Sequence, residues 1–172
     1  MLLKPRRDIP RELTWDLSSI YATEEDMYAD VEALKALGSR MAQDYKGKLD
    51  TPERINACLD DLRELERLLT LTGHYCDLAV SVDYYDTYNQ ERNERLSRLT
   101  SEISSALSFI DNEITEQSES VLREAIAMSA DNRHYLEDIL RNKPHQLHPE
   151  TEPALAALSQ TLYAPYQIYN MA

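Results

Sequence analysis

Between Thr51 and Ala79 the apolar residues Ile55, Leu59, Leu62, Leu65, Leu69, Cys76 and Ala79 return at helical steps, with no strand-like alternation among them. Steps of this kind put all seven on one stripe of a helix of roughly thirty residues. The start is marked chemically: the Thr51 hydroxyl can cap the first free amides, and Pro52 stands where a helix has no use for an N–H. A helix this long with one apolar stripe has to bury it against other elements. Three glycines and seven prolines are too few for the many tight turns of an all-β chain.

The neighbouring segments carry the same period. Thr23 before Glu24, Glu25 and Asp26 predicts a capped helix with an acidic first turn. Met27, Val31, Leu34, Met41 and Tyr45 form its stripe, and Gly47 ends it. A third long helix is expected from about Thr87, with Leu96, Leu99, Ile103, Leu107, Ile110 and Ile114 on one side. The short corner "DYYD" before it makes an antiparallel hairpin with the second helix. Gly73, inside the second helix, predicts a close helix contact or a bend. After Asp111 the helices shorten, centred on "SVLREAIAM", "NRHYLEDIL" and "PETEPALAALSQTL".

Residues 1–15, with Pro5 and Pro10, read as an extended N-terminal arm, and 16–172 as a single helical lobe. Trp15, Leu17, Ile20 and Tyr21 in "WDLSSIY" are placed to pin the arm to the bundle. The final "APYQIYNMA" begins an amphipathic segment that stops, so the chain is expected to be truncated. The fold expected is all-α, a long antiparallel helical hairpin plus shorter helices around one core, in keeping with a 172-residue length.

A net charge of −13 argues against nucleic acid and anionic membranes as partners, because both are polyanions. No apolar run approaches a membrane span, and "MLLKPRRDIP" has no apolar stretch behind its basic residues to make a secretory signal. Cytoplasm is the expected location. Cys58 and Cys76 therefore read as reduced core residues. Eleven tyrosines against one Phe and one Trp suit core edges, where a ring packs and its hydroxyl finds a polar partner; a tyrosine-lined ligand surface is the second reading.

The sequence holds few catalytic patterns. Neither G-x-x-x-x-G-K-[ST] nor G-x-G-x-x-G is present, nor is the G-x-S-x-G elbow. Cys76 lies two residues from His74, and such neighbours on a helix face different ways. There is no E-x-x-H, only a single reversed His134-x-x-Glu137, and no H-E-x-x-H. His145 and His148 in "NKPHQLHPETE" invite a metal reading. Pro144 and Pro149 bracket them, however, and residues before proline leave the helical region. An extended chain throws side chains three apart to opposite sides. That stretch reads as an elbow between helices, with Pro149, Glu150 and Glu152 starting the next one.

Several motifs in order resemble one family. "TWDLSSIY" with an acidic helix behind it, "YKGKL", "SFIDNEI", "YLEDILRNKPHQL" and "LYAPYQIYNM" are similar to landmarks of the oligoendopeptidase F zinc metallopeptidases, relatives of thimet oligopeptidase, from about Ile9 to the end. His148 departs from the pattern, since the family usually has a small hydroxyl residue there.

The resemblance implies a helical, bilobed peptidase whose channel admits short peptides, with zinc held by H-E-x-x-H and a downstream glutamate in a later, C-terminal region. The zinc there polarises the scissile carbonyl while the motif glutamate acts as base. No position of this sequence matches those residues, so none is assigned as catalytic or metal-binding, and substrate-binding positions stay unassigned. The expectation is a non-catalytic N-terminal lobe that forms one wall of the substrate channel. It would be inactive alone, partnered by the catalytic domain, and able to dimerise through apolar faces that the domain would cover. A stand-alone helical interaction module is the alternative.

Overall fold

Residues 8–83 and 85–145 are described by the computed structural model of the chain. The expected helix at 149–162, the segment 164–172, His148 and the first seven residues lie outside them. Among the described residues every regular element is helical: α1 (Glu24–Tyr45), α2 (Pro52–Val82), α3 (Thr87–Leu107), α4 (Phe109–Glu116), α5 (Glu119–Met128) and α6 (Arg133–Asn142). No helix among them is long and apolar enough to cross a membrane.

The start signals act as the sequence proposes. Thr23 Oγ1 accepts from Asp26 N at 3.2 Å while Asp26 Oδ2 accepts from Thr23 N at 3.2 Å, a reciprocal capping box. Thr51 Oγ1 accepts from Arg54 N at 3.3 Å, and α2 runs for 31 residues. Asp86 caps α3 through Tyr88 N and Asn89 N. Gly47 takes φ 72, the left-handed turn that lets the chain reverse after α1 at no Cβ cost.

α1, α2 and α3 pack against one another, and α2 also carries α5, which holds α6. Side-chain bonds give the directions. Arg40 and Tyr45, late in α1, both reach Asp61, early in α2, at 2.9 and 2.6 Å. Glu24 at the start of α1 meets Arg92 at the start of α3. So α2 runs antiparallel to both neighbours. Met27, Leu34, Met41, Ile55, Ile114 and Leu136 are fully buried at the centre. At the α2–α5–α6 junction, Asn56 Nδ2 donates to the Ala125 carbonyl at 3.1 Å and Asn132 Nδ2 donates to Asn56 Oδ1 at 3.0 Å. Arg63 donates to Asn132 Oδ1, so these buried amides are satisfied rather than left unpaired.

Five details differ from the sequence expectation. The third stripe is one continuous line of side chains, but the backbone breaks at Ser108. Its hydroxyl donates to the Ser105 carbonyl at 2.9 Å and its amide also turns to that carbonyl, which tightens the turn. The buried face nevertheless continues through Leu107, Ile110 and Ile114. Second, Pro10 and its followers are not extended: Leu13 N donates to the Pro10 carbonyl at 2.9 Å, closing a 3₁₀ turn over Arg11–Leu13. Third, Trp15 does not pin the arm, being 69% exposed; Ile20 and Tyr21 do, and the Tyr21 ring stands edge-on to Tyr75 at 5.5 Å.

Fourth, Gly73 makes no close helix contact, because a Cβ there would meet nothing within 4 Å. The close approach is at Gly38, where a Cβ would lie 3.1 Å from Ile103 Cγ1. Last, Lys143 stays helical (φ −51, ψ −41) although Pro144 follows it. Its ammonium donates to the carbonyls of Thr115 and Gln117, the latter at 2.7 Å, and that anchorage outweighs the steric preference of a pre-proline residue. Lys143–His145 then forms a 3₁₀ turn.

Candidate functional site

The nucleophile and metal candidates are dispersed. Cys58 and Cys76 are free and fully buried, as read from the sequence. Burial, and then the nearby Asp61 carboxylate, push the Cys58 thiol up to about 12. Burial also raises Cys76, opposed in part by the positive Arg92. Neither is a ready thiolate. His74 is exposed, and its Nδ1 lies 2.7 Å from the Thr70 carbonyl. A carbonyl only accepts, so Nδ1 is the donor in this contact. The ring is thus tied to its own helix and activates no thiol.

His134 stands with its side chain 86% exposed, 3.8 Å from Asp138. Among the described residues no three His, Cys, Asp or Glu side chains gather to hold an ion. The donor set does not fit a catalytic zinc, which needs at least three protein ligands and an open position.

Three tyrosines follow the packing reading. Tyr21 donates to Asp30 at 2.7 Å, Tyr45 to Asp61 at 2.6 Å, and Tyr135 to Asp111. Burial first, and the acceptor carboxylate second, raise all three phenols above their ordinary value. Each joins an apolar ring to a charged rim. A denser group closes the tip of the bundle. Arg92, 7% exposed, bonds Glu24 at 2.6 Å and Asn89 at 2.8 Å, and its guanidinium lies 5.0 Å from the Tyr75 ring centre and 5.6 Å from that of Tyr88. Tyr88 also donates to Glu24 at 2.7 Å. This clasp ties α1 to the α2–α3 hairpin through charge and cation–π contact.

Among the described residues, an open groove lies between α2 and α3. One stretch of about 510 Å³ is lined by Leu69, Gly73, His74 and Asp77 of α2 and by Asn93, Leu96, Ser97 and Thr100 of α3, among others. A second, of about 330 Å³, shares Leu69 and continues past Leu62, Glu66, Ile103 and Leu107 to Asp111 and Tyr135. No residue of α1 lines either stretch. The volumes are those of ligand-sized clefts, with an apolar floor and a polar wall. Sequence periodicity alone could not locate this groove. Leu62 and Leu69 belong to the core stripe, and only the unexplained Gly73 signalled that a face was kept clear.

With this geometry in hand, the known proteins it resembles are consistent. The family model described as Oligopeptidase F matches residues 113–172. Oligopeptidase PepF of Bacillus subtilis (strain 168) is 28% identical over 164 residues, covering 93% of this chain and 24% of that protein. The plasmid oligoendopeptidase F of Lactococcus lactis subsp. cremoris is 22% identical, covering 99% of this chain and 29% of its own length. The crystal structure of a candidate peptidase from Chlamydophila abortus superposes with a TM-score of 0.78 at 24% identity, over 95% of this chain and 28% of that one, and this likeness shows the fold. The chain thus spans about a quarter of the length of the relatives it matches. Motif order, matched length and helical architecture agree in supporting a likeness to the N-terminal region of oligoendopeptidase F family peptidases.

Proposed function

We propose that this chain is the non-catalytic N-terminal lobe of a zinc-dependent oligoendopeptidase, and that it forms one wall of the channel through which short peptides reach the catalytic part. The observation that carries this reading is the match itself: nearly all of this chain aligns with about a quarter of proteins named oligopeptidases and oligoendopeptidases. Zinc, its ligands and the general base belong, on this reading, to the remainder of the full-length enzyme. The lobe's contribution is shape and charge. Long helices held by an apolar core and by the Arg92 clasp make a stiff wall, and rigid walls limit substrate by sterics at little entropic cost.

The test is to photolabel the full-length enzyme with an uncleavable short peptide carrying a benzophenone. Label within the region of residues 8–145 is expected, competed away by unlabelled peptide. Competable label found only outside this lobe would overturn the wall assignment.

A further inference from the structure

Gly73 is the feature that packing does not explain. Glycine in the interior of a helix costs about 1 kcal/mol against alanine. Here no neighbouring backbone requires it, since a Cβ would meet nothing within 4 Å. The space it leaves is the middle of the α2–α3 groove, beside Leu69, His74 and Ser97. From Leu62 to Asp77 the groove follows α2 for about 22 Å at ~1.5 Å per residue. That is the reach of roughly six or seven residues of extended chain at ~3.3 Å each.

Its chemistry indicates what kind of chain would fit. The floor is apolar, with Leu62, Leu69 and Leu96. Asn93, Ser97, Ser104 and His74 line the walls. An extended peptide has unpaired N–H and C=O groups that need such partners, whereas a docked helix has already satisfied its own. The charges present among the described lining residues are of one sign: Asp77 lies at one end, Glu66 and Asp111 at the other, with no lysine or arginine among them. Among the described residues no ion pair engages Glu66 or Asp77, both exposed. Negative walls around a low-dielectric floor raise the local concentration of cations.

We infer that the α2–α3 groove is a binding site for a short, extended peptide carrying lysine or arginine side chains, with Gly73 keeping its centre open. The inference rests on the peptidase reading only for the source of the peptide. It does not require that reading in order to be tested.

The experiment is fluorescence anisotropy of a rhodamine-labelled lysine-rich heptapeptide, and of a glutamate-rich one of equal length, titrated with the 172-residue chain. The lysine-rich peptide is expected to bind at least about tenfold tighter, an electrostatic preference that weakens with salt. Gly73→Leu fills the groove without touching the core and is expected to weaken binding at least about tenfold, with an unchanged circular dichroism spectrum. Glu66→Lys with Asp77→Lys is expected to reverse the peptide preference. If Gly73→Leu were misfolded, the charge-reversed pair would carry the same test. Equal binding to both variants would reduce the effect to general surface charge and overturn the site. So would binding of neither peptide, or a self-associating chain whose groove is taken by a second copy. In the full-length enzyme, peptide cleavage with a KM insensitive to Gly73→Leu would sink the groove and leave the peptidase reading standing. Absence of all cleavage would have the opposite meaning.

Discussion

Gly38 of α1 lets Ile103 of α3 approach to 3.1 Å of where a Cβ would stand, whereas Gly73 of α2 meets nothing within 4 Å. Both residues weaken their helices, but only one is repaid by contact. At Gly38 the missing side chain brings two helices together and tightens the α1–α3 face. At Gly73 it leaves the outer α2–α3 face open. The same bundle therefore has a closed side, where volume is strictly specified, and an open side, where it is not. Function that needs access belongs on the second; stability belongs on the first.

The largest effect is expected on the closed side. Leu34 is wholly buried, and Leu34→Ala should cost about 2–5 kcal/mol in denaturant unfolding through lost burial and an unfilled cavity. A cost below that range would mean the centre is loosely packed. Next, Gly38→Val places methyl groups against Ile103 and should cost about 1–3 kcal/mol by overpacking. If it proved neutral, the contact between the two helices would be slack and the contrast between the glycines would weaken.

Tyr45 sits between the two regimes, half-buried with its hydroxyl on Asp61. Tyr45→Phe should cost about 0.5–1.5 kcal/mol, the net value of one hydrogen bond. Its pH signature has a definite sign. Burial and the carboxylate raise the folded-state pKa of Tyr21, Tyr45 and Tyr135 above the ordinary 10.0, so the unfolded chain ionises first. Their contribution is complete below pH about 10 and falls as pH rises beyond it. Urea midpoints measured between neutral pH and pH 11 should decline, and less steeply in Tyr45→Phe. The smallest effect is on the open side and of opposite sign: Gly73→Ala should stabilise by about 0.5–1 kcal/mol, read as a higher melting temperature. Destabilisation there would show that the space is not free.

Much of this was legible in the chain. Thr23, Thr51 and Pro52 announce helix starts through local chemistry, and Gly47 announces a stop, because caps and left-handed turns depend on neighbours in sequence. The apolar stripes named the core for the same reason. What stayed hidden depends on partners distant in sequence. Ser108 breaks the backbone without disturbing its stripe, Lys143 resists Pro144 by reaching carbonyls more than twenty residues away, and Trp15 lies exposed where an anchor was expected. Gly38 and Gly73 look alike as letters; only the packing around them separates a contact from an opening. The groove belongs to this second class, since it is made by what two helices leave between them.

The central proposal is that this chain shapes access to a peptidase centre carried by the remainder of the full-length enzyme. The most direct test is to incubate the purified 172-residue chain with an internally quenched fluorogenic peptide, with added zinc and with a chelator. The account predicts no cleavage above background in either condition. Cleavage by the purified chain that the chelator abolishes would contradict it.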